Sequence, residues 1–194
     1  MNLIGHTCIS SFITTKCLNE NISNPFSYAV LDFNSVYNLV KDYDIINWFN
    51  YELIKDKNWN FYIIIENKIK IWYGHYKFDK NVNGIITKNN DVYSNKIWEY
   101  IVEKYEARVK RMLNNKEPPI FIFASANNRI DNTYDFSLEQ QNKLIELNSP
   151  YKIIFSFKEM IPYKFSIKQN KPFKNNGLEI SKYIYDQIKT ILNT

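Results

Sequence analysis

Few residues of this chain could do covalent chemistry, and two of them stand close together at its start. The stretch from Leu3 to Asn19, LIGHTCISSFITTKCLN, holds both cysteines, Cys8 and Cys17, and one of the two histidines, His6. Cys8 follows Gly5 in the pattern strand–Gly–x–x–Cys–helix. A thiol in the first turn of a helix meets unpaired backbone N–H groups and the positive end of the helix dipole. Both favour the thiolate, the reactive form. A glycine before it lets the backbone turn sharply. The ordinary alternative is a buried thiol, since free cysteine is among the most buried residue types. Cys17 falls inside the same helical stretch, beside Leu18, and is expected in the core.

A nucleophilic cysteine needs a base. His75 follows Gly74 at the end of a strand-like segment, where loops collect functional groups, and a Cys8–His75 dyad would follow the usual nucleophile–base arrangement. His6 shares a face with Cys8 on extended chain but is a close sequence neighbour. A half-buried strand residue is the plain reading of His75. Asn127 lies just past the apolar run IFIFASAN. If the first strand lies beside that run, Cys8 and Asn127 meet at the carboxyl edge where α/β sheets bind ligands. Asn127 is equally suited to an ordinary turn. The three arginines are Arg108, Arg111 and Arg129. A guanidinium fork grips carboxylate or phosphate, so Arg108, Arg111 and Arg129 are candidate substrate-binding residues, as is His6. The competing reading is solvated charge paired with Glu103, Glu106 or Asp131.

Those side chains must be mounted by secondary structure. Met1 to His6 reads as a strand, and Cys8 to Leu18 as a helix with Thr7 as its cap. Asn24-Pro25-Phe26 marks a turn. Asp32 to Tyr43 has helical spacing of Phe33, Val36, Tyr37 and Val40, and Ile45 to Leu53 is expected to continue as a second short helix. Phe61 to Tyr76 reads as an antiparallel hairpin around Glu66-Asn67, followed by a polar loop from Asp79 to Asn90. Ser94 to Leu113 carries the apolar stripe Ile97, Ile101, Tyr105, Val109, Met112, with Arg108 at its border and Arg111 further toward solvent. IFIFASAN and YKIIFSF are central strands. Ser137 caps a helix between them, and Ile180 to Leu192 closes the chain. Helices alternating with strands imply parallel crossovers, so the expected fold is one α/β domain over residues 1–194, with a mainly parallel sheet flanked by helices.

Composition narrows the function classes. With 194 residues, 45% hydrophobic and 23% charged, the chain suits one globular domain. The net charge of +5 and pI near 9.0 come from dispersed lysines, which give solubility rather than a site. Nucleic-acid binding is not expected, because no recognised motif accompanies the charge. No apolar run reaches the roughly 20 residues of a membrane span, and no export signal is read at the start. A cytoplasmic protein with reduced cysteines is expected. The cysteines lack metal-ligand spacing, and no phosphate-binding, dinucleotide or Gly-x-Ser-x-Gly motif occurs, so no cofactor or metal is expected. The substrate class stays open among small molecules, peptides and glycans, and so does the oligomeric state.

Taken in order, the Gly-x-x-Cys start, Asn24-Pro25-Phe26-Ser27-Tyr28, Gly74-His75 and Tyr105-Glu106-Ala107-Arg108-Val109-Lys110-Arg111 form a pattern. It resembles an uncharacterised bacterial family grouped as papain-like cysteine peptidases. Its members open with a Ser-Leu-Gly-x-x-Cys-like segment. Pro-Phe-Asp-Trp follows, then a His, then a helix ending in an Arg-Arg-x-x-Arg-like run. A related group, filed as exopolysaccharide biosynthesis proteins, shares the early Cys and a Pro-rich turn. The resemblance implies Cys8 and His75 as catalytic residues and adds interest to Arg108 and Arg111. Ser27-Tyr28 replaces Asp-Trp, removing a carboxylate that could orient the His, and Ala107 replaces an Arg. A papain-like fold would continue after His75 in antiparallel strands, unlike the helix–strand alternation read here. The expectation is therefore a Cys–His hydrolase or acyl transferase. The alternatives are a polysaccharide-biosynthesis transferase or accessory protein that binds an anionic sugar donor, and a binding module without chemistry.

Overall fold

The computed structural model describes residues 2–5, 7, 10, 13, 17, 23–27, 29–55, 61–72, 91–124, 135–157, 159–167 and 177–192. A three-stranded parallel sheet runs in the order β1-β6-β7, from β1 (Asn2–Gly5), β6 (Pro119–Ala124) and β7 (Lys152–Ser156). The register sets Ile4 beside Phe121 and Phe121 beside Ile153. Both faces of this sheet are covered, which is why its strands read as unbroken apolar runs.

One face presents Ile4, Phe121, Phe123, Ile153 and Phe155 to the larger core, and the other presents Leu3, Ile122, Ala124 and Ile154 to a smaller one. Helix α4 (Gly177–Leu192) covers the smaller face through Ile180, Ile184 and Ile188, spaced one turn apart, with Ile13 beside them. Against the larger face pack helices α1 (Phe33–Asp42), α2 (Asp91–Asn114) and α3 (Leu138–Glu146). A second, antiparallel sheet in the order β2-β5-β4-β3 joins them, from β2 (Val30–Leu31), β3 (Tyr51–Lys55), β4 (Phe61–Ile65) and β5 (Ile69–Trp72). Leu31, Ile63, Ile65, Ile69 and Ile71 point from it into the shared core. The chain is thus an α/β fold with a helix-flanked parallel sheet and a separate antiparallel one.

Local chemistry explains the boundaries. The Asp32 carboxylate accepts the Ser35 N–H at 2.7 Å and caps α1. Ser137 and Gln140 form a reciprocal capping box at α3. Glu66 and Asn67 adopt φ of 49° and 57°, as the tight hairpin turn demands. The expected Ile45–Leu53 helix is not formed. Asn47 Oδ1 accepts the Phe49 N–H at 3.3 Å, a local bond that competes with helical pairing. The Asn50 carbonyl then accepts the Glu66 N–H at 2.9 Å, and Tyr51–Lys55 pairs antiparallel with β4. The hairpin read from the sequence therefore grows into a four-stranded sheet. The polar loop at residues 79–90 lies outside the described residues.

Candidate functional site

The carboxyl edge of the parallel sheet is where the early cysteine segment was expected to meet β6. Strand β1 ends at Gly5 beside Ile122 of β6. A Cβ built on Gly5 would lie 2.7 Å from Ser10 Oγ, 2.8 Å from Ser10 Cβ and 3.1 Å from the Ile122 carbonyl oxygen. Ser10 is therefore seated directly on Gly5 at the end of the strand, an approach only glycine permits. Thr7 Oγ1 reaches the carbonyl of Ala124, the last residue of β6, at the long distance of 3.5 Å. The Thr7 hydroxyl thus bridges to the sheet. Thr7 and Ser10 are buried, and both sit at the sheet's carboxyl end, the usual ligand side of α/β sheets.

Cys8 itself lies outside the described residues, as do His6, His75, Asn127 and Arg129. Their described neighbours are informative. Thr7 and Ser10 stand on either side of Cys8 in sequence, and β6 ends just before the segment that carries Asn127 and Arg129. Trp72 closes β5, with only Tyr73 and Gly74 between it and His75. Cys17 is half-buried rather than fully buried. Burial first, and then the Asp186 carboxylate, push its thiol above the ordinary value.

Arg108 and Arg111 converge on residues 23–27, the turn after the cysteine segment. Asn24 Nδ2 donates to the Leu3 carbonyl at 2.6 Å, while its Oδ1 accepts the Phe26 N–H at 3.0 Å. The side chain of Asn24 therefore both shapes the turn and ties it to β1. Arg108, 5% exposed, donates from Nη1 to the Ser27 carbonyl at 3.2 Å. Its Nε is buried without a hydrogen-bond partner among the described residues. Exposed Arg111 donates from Nη2 to Ser23 Oγ at 3.0 Å. The border position read for Arg108 and the outward one read for Arg111 thus hold. Both side chains, however, engage the turn that follows the cysteine segment.

A cleft of about 540 Å³ opens between the antiparallel sheet and the start of α1, within the ordinary size range for small-molecule sites. Its walls include Tyr62, Lys70 and Trp72 from the sheet, Asp32 and Phe33 from α1, and Asp135 and Phe136 before α3. The Lys70 ammonium lies 4.1 Å from the centre of the Tyr62 ring, a cation–π pair. The Trp72 indole N–H is buried and has no hydrogen-bond partner among the described residues. None of these residues was singled out as a site residue from the sequence. The signal was present: Tyr62, Lys70 and Trp72 alternate with the core-facing Ile63, Ile65, Ile69 and Ile71. A smaller hollow of about 270 Å³, bordered by Asn2, Pro119 and Tyr151, lies at the opposite, amino end of the parallel strands. Among the described residues, no group of three or more Cys, His, Asp or Glu side chains could hold a metal ion, and no helix is long and apolar enough to cross a membrane.

Two phenols outside the cleft make stability sensitive to alkali. Tyr51 is pushed up to about 12 by burial and then by its hydrogen bond to Glu106. Tyr151 is likewise pushed to about 12, by burial and then by its bond to Asp44. In the unfolded chain a phenol titrates near 10. A raised folded value gives stability that is whole below about pH 10 and is lost as pH climbs toward 12. Urea midpoints should therefore fall between pH 9.5 and 11.5, and the Tyr51→Phe, Tyr151→Phe double variant should flatten that fall. An unchanged slope in the double variant would assign the alkaline loss to other groups.

A scan against protein-family models finds none that matches the chain, and a search of curated proteins finds no significant match.

Proposed function

We propose that the chain is a cysteine-dependent hydrolase or acyl transferase whose nucleophile is Cys8. The observation that supports this reading most is the contact of Gly5 with Ser10. That contact seats Ser10, two residues after Cys8, at the carboxyl end of the parallel sheet, which supports a nucleophile mounted nearby. In this mechanism the Cys8 thiolate attacks an acyl carbonyl, and backbone N–H groups of the turn hold the oxyanion. The leaving group departs with a proton carried by His75. Water or a second acceptor then cleaves the thioester, with His75 as base. Asn127 would orient the imidazole. The resemblance to the papain-like peptidase family supports the same pair of residues. The parallel strands that follow favour the broader class of acyl-transfer enzymes over peptidase alone.

Labelling rates test the proposal. At neutral pH, iodoacetamide should modify Cys8 about tenfold faster than Cys17 in the folded protein, because rate follows thiolate fraction and access. The Cys17 thiol is held toward its neutral form. Peptide mapping reads both sites in one sample. Equal, slow labelling of the two without denaturant would count against a nucleophilic Cys8.

One observation favours a second reading, a polysaccharide-biosynthesis transferase or accessory protein that binds an anionic sugar donor. Arg108 is buried with an unpartnered Nε, and such a group has capacity for an anion. On that reading, a nucleotide-sugar titration of wild type and Arg108→Met would show binding only in the first.

A further inference from the structure

We propose that the cleft on the outward face of the antiparallel sheet binds a neutral saccharide. Register places Trp72 opposite both Val30 and Tyr62, and Tyr62 opposite Ile54. Residues opposite one another share a face of the sheet. Trp72 and Tyr62 are therefore adjacent on the face turned away from the core, and both are half-buried. Trp72, with Tyr62 as its cross-strand neighbour, offers an aromatic platform for the C–H face of a pyranose, and the Lys70 ammonium sits over one face of the Tyr62 ring. Phe33 and Phe136, with ring centres 5.4 Å apart, close the far wall.

A saccharide also needs hydroxyl partners around its edge, as donors and as acceptors. Asp32 supplies carboxylate oxygens at the rim, one of them already accepting the Ser35 N–H. Asp135 brings a second carboxylate, and Lys70 an ammonium. The Trp72 indole N–H is a buried donor with no partner among the described residues, and a buried polar group in that state calls for one. The formal charge of these three ionisable walls is two negative and one positive, a net of −1. Arg108 and Arg111 do not line the cleft. The balance disfavours nucleotide sugars and uronic acids and suits a neutral sugar. This inference does not rest on Cys8, since none of the platform residues belongs to the proposed acyl-transfer site.

Full-length protein labelled with ¹⁵N is titrated with cellobiose, maltose and N,N′-diacetylchitobiose. Glucuronic acid, UDP-glucose and a glycyl-phenylalanine dipeptide serve as charged and peptide controls. The expected result is a saturable shift of the Trp72 indole resonance, assigned by its loss in Trp72→Phe, with at least one neutral disaccharide. The shift should persist in Cys8→Ala. Affinity should fall about fivefold in Trp72→Phe, which removes one neutral hydrogen bond, and about tenfold in Tyr62→Ala, which removes half the platform. Saturable binding in Cys8→Ala supports the saccharide site whatever becomes of the acyl-transfer proposal. No shift of the Trp72 resonance with any neutral sugar overturns it. So does a shift produced only by the charged or peptide controls. Should a variant lose its fold by circular dichroism, the wild-type and Cys8→Ala titrations still decide the matter.

Discussion

Gly5→Ala should lower the unfolding free energy by about 2–3 kcal/mol, toward the upper end of the usual cost of overpacking. The added methyl would sit 2.8 Å from Ser10 Cβ and 3.1 Å from the Ile122 carbonyl oxygen. A clash with Ser10 Oγ alone would be relieved by rotating the hydroxyl. A clash with Cβ moves only with the backbone, and the Ile122 backbone is fixed within β6. Loss of chain entropy in the unfolded state returns about 0.4–1 kcal/mol to an alanine variant, which is too little to offset the contacts. For a chain of this length the melting temperature should drop by roughly 5–10 °C. Ser10→Gly in the same background removes two of the three close contacts, at a helix-propensity cost of up to about 1 kcal/mol. The double variant should therefore recover part of the loss. A double-mutant cycle should return a coupling energy of more than about 1 kcal/mol between Gly5 and Ser10. Urea denaturation of the four proteins checks this. A Gly5→Ala variant within about 0.5 kcal/mol of wild type would mean that Ser10 is not seated on Gly5, and the main support for the Cys8 proposal would go with it.

Much of this architecture is legible in the residues themselves. Runs such as PIFIFA and KIIFS, apolar at consecutive positions, have no solvent side to face and so read as central parallel strands. Asp32 and Ser137 announce helix starts through side chains that can reach backbone N–H groups. The antiparallel hairpin follows from β-branched and aromatic residues around Glu66-Asn67. Its extension by Tyr51–Lys55 was missed. Ile45, Trp48 and Phe49 mimic helical spacing, although Ile45 is 77% exposed. What overrides the pattern is the Asn47 side chain bonding within its own turn, a local event that apolar periodicity does not register. The pairing of β1 with β6 was conditional in the sequence, since nothing in four residues specifies a partner more than a hundred positions away. The cleft was invisible for a related reason. Tyr62, Lys70 and Trp72 come from two strands, and only register brings them to one face beside the cap of α1. Arg108 could be placed at the edge of an apolar stripe from spacing. That it spends its one described hydrogen bond on a backbone carbonyl could not.

Arg108 therefore offers the other large effect, and the choice of replacement separates two roles. Arg108→Ala should destabilise the protein by about 2–4 kcal/mol, since the two methylenes it removes, Cγ and Cδ, are each worth about 0.8 kcal/mol when buried and the Ser27 carbonyl loses its donor. Against this stands the relief of a buried guanidinium that, among the described residues, makes one hydrogen bond, at 3.2 Å to Ser27, and leaves Nε unpartnered. Arg108→Met isolates that term. It keeps most of the buried stem and removes the charge, and exchanging a poorly compensated buried ion for an apolar side chain of similar volume is often neutral or stabilising. If Arg108 is a clamp on the Asn24–Ser27 turn that works through its packing, Arg108→Met should lie within about 1 kcal/mol of wild type, well above Arg108→Ala. Thermal unfolding with and without sulfate or UDP-glucose completes the test. A site built for an anion gains stability from ligand in the wild type and none in Arg108→Met, by mass action. A packing clamp gains none in either. An Arg108→Met variant as unstable as Arg108→Ala would contradict the packing account, because the charge and its fork would then outweigh the volume they occupy.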